Sequence, residues 1–408
     1  MKVKRLPTDF IVEELIDLQP ADGGGQFALY RLHKQGLSTL EAIEAIQRRW
    51  ELPRDKISWG GLKDKHAVTV QFLTIHRGPR RGLEQQGLKL EFLGWVPYSF
   101  RTTNIVGNRF RIILRAISAE ELERSLAALP EVQRCGLPNY FDDQRFGSLG
   151  ASGEFIAEPW IRGDYERTLW LAMAEPNVFD KGQELKEKEL LRDLWGQWPE
   201  CKQALSRSHR RSIITFLADR PGDFKGAWCR VNKDLRSLWL SAFQSQLWNE
   251  MLANLIRSQT EESTRVEVPL KTGPLPFPCS LTDEQLAKLT VQKLPLPSAR
   301  IRLEEIENTE VRGLLERSLA ARQLELRQLR VKYPRDSFFS KGERPALVQV
   351  NNLEWTSSVD DLYPDQHQLQ LTFDLPRGSY ATILVKRITD AVGIAPSGRR
   401  LRGLTGDN

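Results

Sequence analysis

This 408-residue sequence predicts an α+β fold with a mixed or antiparallel sheet, interrupted by a mostly helical block. Three observations carry that expectation. Strand and helix patterns alternate up to about residue 130 without the regular spacing of βαβ units. From about residue 155 the patterns become helical. From Ala346 strand patterns return, and late strands of this kind can complete the first sheet and leave the block as an insertion.

The elements follow in order. Residues 10–16 (FIVEELI) and 26–32 (QFALYRL) read as strands joined through the turn Asp22–Gly25. Ser38 and Glu41 form a capping box for a helix carrying Ile43, Ile46 and Trp50, which Pro53 stops. Val68 to Ile75 is a strand, with Thr69 and Gln71 facing away from Val68, Val70 and Phe72. Residues 89–93 and 110–114 are strand-like, and Ser118 and Glu121 cap a second helix running to about Leu129. Residues 136–153 have no amphipathic period and read as a loop with three aromatic residues, Tyr140, Phe141 and Phe146. Helices are expected at 165–174, 184–195, 198–207, 234–257 and 310–331, and a proline-crowded loop at 269–278. The last strands are expected at 346–350, 368–373 and 380–385, before a basic tail that frays from about 393.

The formal net charge is +6, and basic clusters occur at Lys2-Lys4-Arg5, Arg77-Arg80-Arg81, Arg207-Arg210-Arg211 and Arg399-Arg400-Arg402. A modest positive excess placed in clusters suits an anionic partner such as RNA. No apolar run approaches the roughly 20 residues that span a bilayer, so no membrane association is expected. The four cysteines are far apart and form no CxxC pair, which suits a reducing, cytoplasmic setting. Walker, dinucleotide, zinc-protease, deaminase and serine-hydrolase signatures are all absent. The five histidines share no ligand-like spacing, so neither a metal nor a cofactor is expected. Any chemistry falls to carboxylates, lysines and aromatics.

One stretch concentrates such groups. In residues 57–75 (ISWGGLKDKHAVTVQFLTI), Gly60 and Gly61 open a loop that carries Lys63, Asp64, Lys65 and His66 before the strand begins. The loop reads either as a solvated turn or as a mount for a reactive carboxylate that its lysines keep ionised. The aromatics of 136–153 either tuck into the core or stack on bases.

Three segments resemble the TruD family of tRNA pseudouridine synthases: Gly61–Thr69 with Gln71 (GLKDKHAVT, Q), Asn139-Tyr140-Phe141 with Gln144–Gly147, and Leu375–Thr382 (LPRGSYAT). Asp9–Glu14, Gly107–Phe110 and a helix start at Ser241–Ser245 add weaker matches. The resemblance implies a pseudouridine-synthase catalytic domain (1–154 and 333–408) interrupted by an inserted, mostly helical α/β TRUD domain (155–332), with RNA held between the lobes. It implies Asp64 as the catalytic aspartate, and Phe10, Asn139, Phe141 and Tyr380 as substrate-binding residues. Lys4 stands a family-like distance before Phe10 as the partner of Asp64 or an RNA contact, with Lys63 and Lys65 as alternatives. The implied substrate is tRNA, at uridine 13 of certain tRNAs, and a cofactor-free, monomeric enzyme is expected. The rival readings are an RNA-binding protein without chemistry, and a glycosidic-bond hydrolase with Glu14 as second carboxylate.

Overall fold

The computed structural model describes residues 1–391, 393–394 and 400–401. The chain divides into two compact units. One comprises Met1–Leu137 and Val348–Asp390; the other comprises Pro138–Leu347 and the described residues after Asp390. The expected fraying from about 393 falls largely outside the described residues.

The first unit is built on a ten-stranded sheet. Its strands are β1 (Lys2–Val3), β2 (Phe10–Ile16), β3 (Phe27–Lys34), β4 (Ile57–Trp59), β5 (Val68–His76), β6 (Leu83–Gln85), β7 (Leu88–Val96), β8 (Ile105–Ile117), β9 (Asn351–Val359) and β10 (His367–Pro376). The order is β9-β10-β8-β2-β5-β3-β7-β6, with β1 beside β8 and β4 beside β5. The sheet is mixed: β2 and β5 run parallel, with Ile11 opposite Val68, while β2–β8, β3–β5 and β8–β10 are antiparallel. The late strands therefore join the first sheet at β8.

Helix α1 (Thr39–Trp50) starts at the capping box, in which the Glu41 N–H donates to Ser38 Oγ and the Ser38 N–H to Glu41 Oε2. Its Ile43 and Ile46 pack with Tyr30, Leu73 and Ile75. Helix α2 (Ala119–Cys135) passes through Pro130 rather than ending before it, because Val132 and Cys135 beyond the proline are buried. Helix α3 (Ala381–Thr389) replaces the strand expected at 380–385. Gly378, at φ 88°, turns the chain out of β10. Ala381, Leu384, Val385 and Ile388 are then buried at helical spacing, on a helix that packs on α2. Thr69 and Gln71 do not face water, since β5 is a central strand buried on both faces.

The second unit is mostly helical. Its longest helix, Lys233–Gln259, buries Phe243, Leu247, Met251 and Leu255, while Leu238 is exposed. Helices at Tyr165–Met173, Gly182–Asp193 and Trp198–Ala204 lie close to expectation, and Ala157–Arg162, His209–Asp219 and Phe224–Cys229 are additional. The proline-crowded loop is instead a hairpin, Arg265–Leu270 with Gly273–Pro278. A two-stranded ribbon leaves each strand an unpaired edge, and an edge tolerates proline's missing N–H. The helix expected at 310–331 is only Thr309–Ala320, because the chain reverses at Gln323 (φ 53°) and tucks Leu324 into the core.

The segment 346–350 is strand only at Leu347–Val348, which pairs with Leu137–Pro138. Residues 138–154 and 333–347 go with the helical unit. Their side chains explain why: Tyr140 packs on Phe277, and Phe141 on Trp248.

Candidate active site

The loop after β4 has no regular structure, yet its backbone is held group by group. Thr102 Oγ1 donates to the Gly60 carbonyl (2.6 Å) and Gln71 Nε2 to the Gly61 carbonyl (2.9 Å). The Lys63 N–H donates to Thr39 Oγ1 (2.9 Å), whose hydroxyl donates in turn to Gln71 Oε1 (2.9 Å). Lys34 Nζ donates to the carbonyls of Leu37 (2.9 Å), Asp64 (3.0 Å) and Lys63 (3.4 Å). The glycines act differently from expectation. Neither Gly60 nor Gly61 has a positive φ. Gly60 is needed for space, since a Cβ there would lie 2.4 Å from Ile105 Cδ1; at Gly61 a Cβ would meet nothing within 4 Å.

The Asp64 side chain stands partly exposed at the end of this loop, 42 % accessible. Lys4 Nζ donates to Oδ2 (2.8 Å) and the His66 N–H to Oδ1 (2.9 Å). Burial works to raise the Asp64 carboxyl, but the Lys4 and His66 hydrogen bonds and charges outweigh it and hold the group below the usual carboxylate range. The same ammonium lies 4.2 Å from the centroid of the Phe10 ring, a cation–π contact. Lys4 reaches both from a left-handed backbone, φ 58°. Lys4, Phe10 and Asp64 are thus brought together from β2, the segment before it and the loop.

The other two lysines are engaged elsewhere. Lys63 Nζ donates to Asn108 Oδ1 (2.6 Å) and lies 3.4 Å from Glu14 Oε1. Glu14 is buried, and its other oxygen accepts the Phe72 N–H (3.0 Å). Lys65 pairs with Glu41 (2.9 Å). Tyr380 is half-buried at the N-terminus of α3, where its carbonyl accepts the Ile383 N–H.

Asn139 and Phe141 lie in the helical unit, and both are buried. Asn139 Nδ2 donates to the Pro345 carbonyl (3.2 Å), and Arg344 donates to the Asn139 carbonyl (2.8 Å) and side-chain oxygen (2.5 Å). The Arg344 guanidinium also covers the Phe141 ring at 4.3 Å. Asn249 clamps the Phe141 backbone, accepting its N–H and donating to its carbonyl, each at 2.9 Å. Ser241 and Ser245 stand inside the long helix rather than at its start, and their hydroxyls accept from Arg145 (2.6 and 3.3 Å).

Sequence reasoning missed Lys34, Asn249 and Arg344. Asn249 carried a signal, an amide among Leu247, Met251 and Leu252, because a buried polar side chain in an apolar stripe must have a partner. Lys34 carried another, a charge on the strand position that follows Tyr30 and Leu32 at period two. Arg344 carried none. Among the described residues, no cluster of three His, Cys, Asp or Glu side chains could hold a metal ion, and no helix is long and apolar enough to cross a membrane.

Comparison with known proteins gives the family. The family model for tRNA pseudouridine synthase D (TruD) matches residues 1–388. "Probable tRNA pseudouridine synthase D 1" of Methanococcus maripaludis is 31% identical over 397 residues, 95% of this chain and 99% of that protein. The tRNA pseudouridine synthase D of Leptospira interrogans is 28% identical, over 95% of each chain. A structural-genomics protein from Methanosarcina mazei named for TruD shares the fold, with a TM-score of 0.72 at 22% identity, over 97% of this chain and 94% of its own. The chain therefore belongs to the tRNA pseudouridine synthase D family.

Proposed function

We propose that the protein isomerises a specific uridine of tRNA, at position 13 of certain tRNAs, with Asp64 as the reactive carboxylate. The enzyme class, an isomerase of the pseudouridine synthase type, follows from the family. The observation that carries the role of Asp64 is its setting: a carboxylate on a pinned loop, with Lys4 on one oxygen and a backbone N–H on the other. Such a group stays ionised when an RNA base excludes water from it.

The reaction breaks the N1–C1′ bond, turns the uracil and forms a C5–C1′ bond. C5 loses a proton and N1 gains one, so no atom is lost overall. The Asp64 carboxylate acts as nucleophile, and Phe10, whose ring Lys4 covers, contacts the substrate in this reading. Asn139, Phe141 and Tyr380 receive the flipped nucleotide in this reading. Flipping costs a few kcal/mol, which stacking and phosphate contacts offset. The chain then works as a cytoplasmic monomer, its catalytic domain interrupted by an inserted domain.

The engagement of Glu14 disfavours the hydrolase alternative. A second catalytic carboxylate must be free to take or give a proton, whereas one Glu14 oxygen accepts the Phe72 N–H and the other faces the Lys63 ammonium. The test uses tRNA tritiated at uridine C5. Wild-type protein releases tritium and leaves a base of unchanged mass, whereas Asp64→Asn binds the RNA with unchanged affinity and forms no product. Turnover by Asp64→Asn, or release of free uracil, overturns the reading.

A further inference from the structure

Lys34 is only 2% exposed, and its charge lies beneath the Asp64 loop. An ammonium has three donors, and three carbonyls face them: Leu37, Lys63 and Asp64. An apolar side chain here would strand those carbonyls, and a neutral amine could satisfy only two. Thr39 and Gln71 hold Gly61 and the Lys63 N–H, so Lys34 alone of these three side chains reaches the backbone of Asp64 itself. Lys4 and the His66 N–H fix where the carboxylate points. Lys34 fixes where its Cα stands.

We propose that Lys34 is a positioning residue for the reaction, acting through the Lys63 and Asp64 carbonyls to set the place of the Asp64 carboxylate. This rests on the reading of Asp64 as the reactive group. Burial pushes the Lys34 ammonium down to about 8, with Asp64 and Glu41 working to raise it and Lys63 to lower it further. A purely structural brace and a positioning residue now predict opposite trends. The unfolded chain holds this proton up to about 10.5 and the folded chain only to about 8, so this group's contribution to stability improves as pH rises between them. Positioning worsens over the same range, because the neutral amine drops one carbonyl.

The test is single-turnover tritium release by Lys34→Met beside wild type and Asp64→Asn. A displaced reacting group costs on the order of 100-fold in rate. Lys34→Met should lose about that much in the rate constant, with RNA affinity within about threefold of wild type. In wild type the rate constant should fall above about pH 8 while the thermal midpoint holds. A folded Lys34→Met that turns over like wild type, or that loses only RNA affinity, overturns the proposal. If Lys34→Met does not fold, the wild-type profile decides, and a rate that stays flat from about pH 8 to about 10.5 overturns it. Turnover by Asp64→Asn would instead sink the reading of Asp64, so the two failures are distinguishable.

Discussion

Lys4 adopts the left-handed region, which costs a non-glycine residue roughly 1–2 kcal/mol. What the conformation gains is one ammonium placed on both the Asp64 carboxylate and the Phe10 ring. Removing the cation while keeping the stem should release Asp64 toward an ordinary carboxylate pKa, since its burial then acts with one opponent fewer. The sign follows directly. A higher pKa leaves less carboxylate at low pH, so in Lys4→Met the acid limb of the pH–rate profile should move to higher pH. An unmoved limb would mean that the His66 N–H suffices. The pairing joins residues 60 positions apart. The sequence offers Lys4 as the partner through its family-like spacing before Phe10, with Lys63 and Lys65 as alternatives, and the fold puts Lys4 on Asp64 while the other two pair elsewhere.

At the scale of elements, the loop and strand that mount Asp64 were legible where local chemistry alone decides. Both capping boxes form as read, because each is complete within four residues. The two glycines show the limit. Adjacent in sequence and alike by pattern, they differ in what surrounds them. Gly60→Ala should destabilise the fold by about 1–3 kcal/mol, the usual cost of overpacking, because Ile105 and Phe100 occupy the space. Gly61→Ala should fall within about 0.5 kcal/mol of wild type. Urea denaturation of the two variants checks both, and equal losses would refute the assignment. Helix α3 was misread because Tyr380–Val385 suits a strand as well as a helix over so few residues. Its burial against α2, on a 3–4 spacing, decided the matter.

Over the whole molecule, several carboxyls are held low against burial that works to raise them. Besides Asp64, Asp360 is held by the Ala116 and Leu362 N–H groups and Arg115, Asp374 by Arg109 and Asn352, and Glu187 by Gln183, Arg210 and Ser206. For a depressed carboxyl the folded chain binds its proton later than the unfolded chain. The stability it contributes is complete above the unfolded value of about 4 and is lost as pH falls through the lower folded one. Denaturant midpoints should therefore hold from neutral pH down to about 4 and drop below it. Asp374→Asn, which removes one of these groups, should lessen that drop. A midpoint that falls equally in both proteins would show that Asp374 is not linked.

What the sequence determined by itself is the chemistry that fits in a short window: six of the ten strands of the first sheet (β2, β3, β5, β7, β8 and β10), the capped starts of α1 and α2, the Lys-Asp-Lys loop and the motifs that carry the family. These depend on neighbours a few residues away, and a linear pattern records them. What only the tertiary structure decided is which distant groups meet: Lys4 rather than Lys63 or Lys65 on Asp64, Arg344 and Asn249 around Asn139 and Phe141, and Lys34 buried under the loop. A charge or an amide acquires its meaning from what desolvates it and what pairs with it. Both are set by chain segments brought close in folding, and no local periodicity encodes them.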